Sequence, residues 1–299
     1  MTQPERHQPA PAQKRTGRKR DTTLPSGRIR LEERDYGLLY DVFTFGAMLR
    51  SQIQELHGFG SVSYCNYRCK KLFSNGLLVK SLPILAPLQS RVTSAETVYQ
   101  LGPAGVPIVA SQLEWSVADV RRRLRNGTPA ALYHALEIVN FKIALLRAVQ
   151  NQPEIQIETF LPEMLCLHSY EKRAGTDKWK VECFKPDSLF VLDWKGKRSV
   201  FAVEIDLSHT ASQEFLSKHK IHSTYLESGL FTQRYGAEIL TTLVITPSMR
   251  RVDNLRALLE KQGGNRFLFS TFNEVKTHSL LATIWKTPGS ESLRSLLDI

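Results

Sequence analysis

The chain has 299 residues, of which 42% are hydrophobic, so it is long enough for two domains that each bury a core. No apolar run approaches the roughly 20 residues of a membrane-spanning helix, and the polar N-terminus has no apolar signal segment, which predicts a cytoplasmic location and no membrane partner. The four cysteines are too few and too scattered to form a disulfide framework. The formal net charge is +11.

Residues 1–30 form a basic arm that is predicted to be disordered. The arm holds eight Lys or Arg residues against two acidic residues, with four prolines and almost no large apolar side chain. Such a segment cannot form a core, and it is attracted to polyanions without reading their sequence. A solubilising tail that binds nothing in particular is the alternative.

Residues 31–105 have the pattern of a winged helix DNA-binding domain. The predicted elements are a helix beginning near Leu31, a helix from about Ala47 to Leu56, a helix from Ser61 to Asn75, and β-like runs at Leu77–Leu82 and Glu96–Leu101. Three helices followed by a hairpin favour a winged helix. A small helical domain used for protein contacts is the alternative.

The third predicted helix has one apolar and one polar face. Val62, Cys65, Cys69 and Leu72 are spaced to form a buried face, while on the other face hydroxyl and amide groups can reach base edges and Arg or Lys can hold phosphates. The candidate DNA-binding residues are Ser61, Ser63, Tyr64, Asn66, Tyr67, Arg68, Lys70 and Lys71, with Arg91 from the loop of the wing. The predicted partner is double-stranded DNA.

The buried face of this helix also explains two of the four cysteines without a metal. Zinc bound by Cys65 and Cys69, or near Cys166 and His168, is the alternative, although the chain has no CxxC knuckle.

Residues 106–128 are predicted to be a basic connector with a short helix at Val117 to Leu124. This stretch carries Arg121, Arg122, Arg123 and Arg125. These arginines either contact backbone phosphate or form a solvated face, and both interpretations stay open.

Residues 129–299 are predicted to form an α/β domain, which makes the overall fold class α+β. The predicted elements are a helix at Pro129–Gln150, strands at Ile155–Phe160, Trp179–Leu192 with an interruption at Lys185-Pro186, and Ser199–Asp206, a helix from about Thr210 to Leu226, a strand at Ile239–Ile245, a helix at Met249–Glu260 and a strand at Arg266–Phe269. The order α-β-β-β-α-β indicates a central sheet with helices packed on it.

Three carboxylates mark the candidate catalytic and metal site of this domain. Asp187 opens one strand, and Glu204 and Asp206 end the next on one face, because side chains alternate along a strand. A turn at residues 195–197 would bring Asp187 beside them. Three converging carboxylates suit Mg²⁺ or Mn²⁺, which can activate water and stabilise charge on a phosphate. Strand-end carboxylates in solvated turns or salt bridges are the alternative.

This pattern resembles the PD-(D/E)xK restriction-endonuclease-like superfamily. Pro186-Asp187 opens a strand, and an apolar strand ends in Glu204-Ile205-Asp206, on an α-β-β-β-α-β core. The superfamily motif ends in a lysine that helps to position and deprotonate the attacking water, and Asp206 stands in its place in this chain. The resemblance implies a lysine from the following helix, either Lys218 or Lys220, of which Lys220 is preferred.

Over residues 31 to about 246, the chain is similar to the replication-relaxation family of mobile-element proteins and to the related MobC class of plasmid mobilisation relaxases. The similarity is carried by the winged helix segment, the string from His134 to Asn140, Pro186-Asp187, the string from Phe201 to Leu207, and a helix with Lys220 and Tyr225. It implies a protein that recognises a plasmid origin and either nicks it or helps to assemble the complex that does. Relaxosome or coupling proteins are the implied partners, and a homodimer is left open.

The chain lacks the His-hydrophobic-His cluster of the commonest relaxases. His219 and His222 lie three apart on a predicted helix and are interpreted as part of a solvated face. Nicking is therefore expected to be hydrolytic, without a covalent tyrosine intermediate. A catalytically inactive DNA-binding accessory protein, or a replication or transcription regulator with a degenerate nuclease domain, is the alternative function.

Overall fold

The computed structural model describes residues 29–81, 96–124, 128–173, 179–208, 211–262, 264 and 266–298. The basic arm up to residue 28, Arg91 of the predicted wing loop and Arg125 of the predicted connector lie outside the described residues. Within the described ranges, no helix combines the length and the apolar character needed to cross a membrane.

The front of the chain folds as helices packed on a small antiparallel sheet. Its elements are α1 (Glu33–Phe45), β1 (Met48–Leu49), α2 (Arg50–Leu56), α3 (Val62–Ser74), β2 (Leu78–Ser81) and β3 (Val98–Leu101). Strand β3 lies between β1 and β2 and is antiparallel to both. The three predicted helices and the hairpin are present. The predicted start of the second helix instead forms β1, because Met48 and Leu49 pair with β3.

Local sequence signals set the ends of α3. The Ser61 hydroxyl accepts a hydrogen bond from the Tyr64 N–H at 3.2 Å, which satisfies one of the free donors at the start of the helix. The helix ends at Ser74 with Asn75 as its C-cap, and Gly76 follows with a φ of 70°, a conformation that favours glycine. The predicted helix bounds of Ser61 and Asn75 are thus the two capping residues.

Gly102, directly after β3, packs its backbone against the backbone of Gly76. A Cβ at this position would lie 2.2 Å from the carbonyl oxygen of Gly76. We expect Gly102→Ala to lower the free energy of unfolding by about 1–3 kcal/mol, because the atoms it meets belong to the main chain and cannot turn aside. Gly60→Ala is the control, since nothing lies within 4 Å of its added Cβ. Urea denaturation compares them, and equal midpoints for the two variants would contradict this packing.

The predicted connector is folded onto the front of the chain. It contains α4 (Val106–Leu113), which the sequence pattern did not predict, and α5 (Val117–Arg123). Val109 of α4 and Val120 of α5 belong to the same apolar cluster as α1. Helix α4 is short and mostly apolar, so its sequence shows little of the alternation between apolar and polar faces that predicts a helix. Its packing against the neighbouring helices stabilises it.

The rest of the chain builds one mixed sheet with helices on it. Its elements are α6 (Pro129–Val149), β4 (Ile155–Pro162), β5 (His168–Arg173), β6 (Trp179–Phe184), β7 (Ser188–Trp194), β8 (Lys197–Ile205), α7 (Ser212–Glu227), α8 (Leu230–Tyr235), β9 (Leu240–Thr246), α9 (Met249–Glu260), β10 (Phe267–Thr271), α10 (Phe272–Thr277), β11 (Trp285–Lys286) and β12 (Leu293–Arg294). The fold class is α+β, as the sequence predicted.

The order of strands in the large sheet is β12-β11-β10-β9-β8-β7-β4. Strands β4, β7 and β8 form an antiparallel meander, and β9 and β10 run parallel to β8. The predicted α-β-β-β-α-β order corresponds to α6, β4, β7, β8, α7 and β9. A separate hairpin of β5 and β6, of which only β6 was predicted, is inserted between β4 and β7.

Helix α6 lies between the sheet and the front helices. The Gln52 side chain of α2 donates to the carbonyl of Leu136 at 2.9 Å and to the side chain of Asn140 at 2.7 Å. Arg147 of α6 donates two hydrogen bonds to Glu55 of α2. One continuous apolar cluster runs from α1 through α6 to the sheet, so it spans the predicted boundary between residues 128 and 129.

Candidate functional site

The hairpin of β7 and β8 brings Asp187 to the end of β8. The strands pair through a turn at Lys195 and Gly196, with Ser188 opposite Val203. The N–H of Asp187 donates to the carbonyl of Val203 at 3.0 Å, and its carboxylate accepts from the N–H of Ile205 at 2.7 Å. Asp187 is therefore beside the strand that carries Glu204, as the predicted pairing requires.

Glu204 points to the side of the sheet that α7 covers. Its neighbours Val203 and Ile205 pack in the cluster on the α6 side, so the predicted alternation is confirmed for this residue. Lys218 Nζ donates to Glu204 Oε2 at 2.7 Å, and His222 Nε2 lies 3.5 Å from Glu204 Oε1. Glu204 is 5% exposed, and its Oε1 atom is buried without a hydrogen-bond partner.

The ionised forms of Glu204 and Lys218 stabilise each other. Burial would raise the pKa of Glu204, but His222 and Lys218 outweigh it and hold the pKa below the ordinary value. Burial would lower the pKa of Lys218, but the negative charges of Glu204 and Asp187 outweigh it and raise the pKa. Lys218 is thus hydrogen-bonded to Glu204 and is close enough to Asp187 to be influenced by its charge.

Helix α6 contributes a histidine to the same site. His134 Nε2 lies 3.0 Å from Asp187 Oδ2, the oxygen that also accepts from Ile205. Burial would lower the pKa of His134, but the hydrogen bond and charge of Asp187 outweigh it, and the pKa is raised. His134 begins the string that carries the family resemblance, but no role was predicted for it.

Asp206 faces a different partner. Arg251, in the first turn of α9, donates from Nε to Asp206 Oδ2 at 2.6 Å, and the Ser208 N–H donates to Oδ1 at 3.0 Å. Strand β8 ends at Ile205, so strand alternation no longer fixes the direction of the next side chain. The expected group of three carboxylates is replaced by two carboxylates and an ion pair.

Only Asp187 and Glu204 remain as candidate metal ligands, because Asp206 is paired with Arg251. Among the residues that the structure describes, no three His, Cys, Asp or Glu side chains are arranged to hold a metal ion. Mg²⁺ usually keeps several waters and binds only one or two protein carboxylates together with substrate phosphates. Asp187 and Glu204 offer such a pair, and the buried Glu204 Oε1 is an oxygen without a hydrogen-bond partner.

A family model described as replication-relaxation matches residues 39–240. The chain belongs to the replication-relaxation family. This confirms the resemblance seen in the motifs and indicates a protein related to replication or mobilisation. The matched span contains Asp187, Glu204, Asp206 and Lys218, and it begins within α1. No curated protein and no solved structure matches the chain.

In this replication-relaxation protein, Lys218 and not Lys220 contacts Glu204. Lys218 shares a face of α7 with the buried residues Phe215 and His222, whereas Lys220 is exposed two positions further along the helix. The geometry therefore reverses the preference for Lys220. The interpretation of His222 as part of a solvated face is wrong, because its ring is buried between Glu204 and Thr242, whose hydroxyl lies 3.0 Å from Nδ1.

The polar face of α3 is largely as predicted, with two corrections. Ser61, Ser63, Tyr64, Asn66, Tyr67, Lys70 and Lys71 are exposed. Arg68 is only 5% exposed and donates to Asp35, with further contacts to Glu32 and the carbonyl of Arg30, so it is not on the exposed face. Val62, expected to be buried with Cys65 and Cys69, is 48% exposed because it begins the helix.

Arg121, Arg122 and Arg123 of α5 are exposed. Arg122 pairs with Asp119, and Arg123 lies 4.4 Å from the ring centre of Trp115.

Cys65 and Cys69 lie on the buried face of α3 as predicted, whereas Cys166 belongs to a separate cluster beside His168.

Proposed function

We propose that this protein acts at a transfer or replication origin of a plasmid or other mobile element, where it binds double-stranded DNA and nicks one strand by metal-dependent hydrolysis. The observation that carries this proposal is the placement of Asp187, directly before β7, beside the end of β8, where Lys218 of α7 is hydrogen-bonded to Glu204. Membership of the replication-relaxation family supports the cellular context. Relaxosome or coupling proteins are the expected partners.

Asp187 and Glu204 would hold Mg²⁺ or Mn²⁺. When bound, such an ion activates water and stabilises the charge on a phosphate under attack. His134 and the N–H of Ile205 fix the orientation of the Asp187 carboxylate by occupying one of its oxygens. Thr242 directs the His222 ring towards Glu204 in the same way.

Lys218 would orient the attacking water or a phosphate oxygen. Its side chain is 39% exposed and its ammonium group is hydrogen-bonded to Glu204. A positive charge fixed at that point stabilises the negative charge that develops on the phosphate during hydrolysis. Lys218 thereby takes the role that the superfamily motif gives to the residue at position 206.

The front helices would hold the DNA. The exposed face of α3 offers hydroxyl, amide and lysine side chains, and this helix contains no Asp or Glu. The front helices pack on α6, and α6 also carries His134 into the acidic site. Helix α2, which packs against both α3 and α6, therefore connects the proposed DNA-binding helix to the helix that carries His134.

A catalytically inactive DNA-binding accessory protein, or a regulator with a degenerate nuclease domain, is the second candidate. The ion pair of Asp206 with Arg251 favours it, because the position of the superfamily lysine is occupied by a neutralised acid. Each of the other two carboxylates also faces a basic side chain already.

A nicking assay on supercoiled plasmid that carries the element's origin separates the two candidates. With Mg²⁺, the wild-type protein is expected to convert supercoiled to open-circular plasmid, and EDTA is expected to prevent this. Lys218→Met is expected to slow nicking about 100-fold or more, in line with the loss of one donor to developing negative charge. Lys220→Met, on the same helix, is the control and should nick as the wild type does. A wild-type protein that binds the origin but never nicks would support the inactive accessory protein.

A further inference from the structure

Helix α3 exposes aromatic rings that readout of base edges does not require. Tyr64 is 41% exposed and Tyr67 is 51% exposed. Phe73, at the other end of the helix, is 41% exposed and has no polar atom on its ring. Large rings in such positions do not contribute to a core, and an exposed group of them is typical of a surface that contacts another molecule.

The two tyrosines form a continuous ridge. Their ring centres are 6.5 Å apart with 24° between the planes, and the Tyr64 ring lies 5.7 Å from that of the buried Phe59. Tyr64, Tyr67 and Lys71 follow one another at helical spacing, so they line one side of α3. Phe59 supports the ridge from the core, which limits the movement of the Tyr64 ring.

Lysines lie over the exposed rings. Lys71 Nζ is 4.7 Å from the ring centre of Tyr67, and Lys80 Nζ is 4.7 Å from that of Phe73. Cation–π contacts at exposed sites are weak, so a phosphate can draw such a lysine away from its ring. A nucleic acid strand would then find a phosphate-binding cation and a free ring face side by side.

The form of DNA that suits such a ridge follows from which part of a base is accessible. In a duplex the faces of the bases are covered by their neighbours, and only their edges reach the grooves. In a single strand the faces are accessible, and aromatic side chains stack on them without regard to sequence. Rings flanked by lysines are the combination that binds single strands.

We propose that the ridge formed by Tyr64 and Tyr67 stacks on the unpaired bases of single-stranded DNA, of the kind that an opened origin presents. This inference rests on the proposed function, since it names the form of DNA that the α3 surface takes. The hydroxyl, amide and lysine groups of the same helix remain available for duplex DNA.

The test measures binding of the full-length protein to two fluorescent probes by anisotropy. One probe is a single strand of oligothymidine of about 16 nucleotides, and the other is a duplex of the same length. Tyr64→Ala combined with Tyr67→Ala is expected to weaken single-strand binding about tenfold or more and to weaken duplex binding by a clearly smaller factor, because the lysine and amide groups of α3 are kept. Tyr64→Phe combined with Tyr67→Phe is expected to bind as the wild type does, because the rings are kept. Tyr36→Ala, which removes a tyrosine of similar exposure from α1, is the control.

Four outcomes would overturn the inference. If the double alanine variant loses affinity for both probes equally, the rings contribute to duplex binding and not specifically to single-strand binding. If the double phenylalanine variant loses single-strand affinity as the alanine variant does, the hydroxyl groups and not the rings make the contact. A wild-type protein that binds the duplex but no single strand refutes this inference and leaves the proposed function intact. If the wild type binds neither probe, the DNA-binding part of the proposed function fails as well. Circular dichroism melting confirms that each variant is folded.

Discussion

Glu204→Gln is expected to abolish Mg²⁺-dependent nicking while origin binding persists. The substitution removes the charge of a carboxylate that is 5% exposed and keeps its shape almost unchanged. Loss of a partner that only orients a metal ligand costs about 10–100-fold, so loss of a ligand itself is expected to cost about 100-fold or more. The measurement is the rate at which supercoiled plasmid becomes open circular, with binding followed separately by anisotropy.

The control for Glu204→Gln is Glu227→Gln, which neutralises an exposed acid at the end of α7. It should nick and bind as the wild type does. The Glu204→Gln variant also leaves Lys218 and His222 facing an amide, so its melting temperature is measured to exclude unfolding at the assay temperature. A folded Glu204→Gln variant that nicks at the wild-type rate would refute the assignment of Glu204.

Asp35→Ala is expected to destabilise the front of the chain more than any surface change. Asp35 is fully buried, and its carboxylate accepts from the Arg68 guanidinium and from the N–H of Glu32. Removing one partner of a buried ion pair leaves the other charge uncompensated and typically costs about 3–5 kcal/mol. Urea denaturation of the full chain measures the change in the free energy of unfolding.

Glu33→Ala is the matched control for Asp35→Ala, because it removes an exposed acid from the same first turn of α1. Its midpoint is expected to stay close to that of the wild type. An Asp35→Ala variant with an unchanged midpoint would contradict a structural role for the ion pair. It would also return Arg68 to the set of residues available for DNA.

Local patterns in the sequence predicted much of the fold. Helix α3 was predicted to within one residue at each end because its serine cap and its Asn-Gly stop are local signals. The pairing of β7 with β8 was predicted because a short turn joins two strongly apolar runs. The proximity of Asp187 to the end of β8 followed from that pairing.

Long-range contacts were not predictable in the same way. Helical spacing places Arg68 beside Cys65 and Leu72, but its charge led to its assignment to the exposed face, because no local signal shows that Asp35, 33 positions earlier in the chain, is its buried partner. Asp206 was expected to follow strand alternation, but the strand ends one residue earlier and Arg251 approaches from α9. His134 joins the site only because α6 packs across the sheet, a contact that no local signal encodes.

The central claim is that Asp187 and Glu204 hold a divalent metal ion, and titration with Mn²⁺ followed by electron paramagnetic resonance tests it most directly. The wild-type protein is expected to bind Mn²⁺ at a single site that Mg²⁺ competes for, and both Glu204→Gln and Asp187→Asn are expected to lose that site. Wild-type protein that leaves all Mn²⁺ free in solution, or variants that bind it as tightly as the wild type does, would contradict the claim.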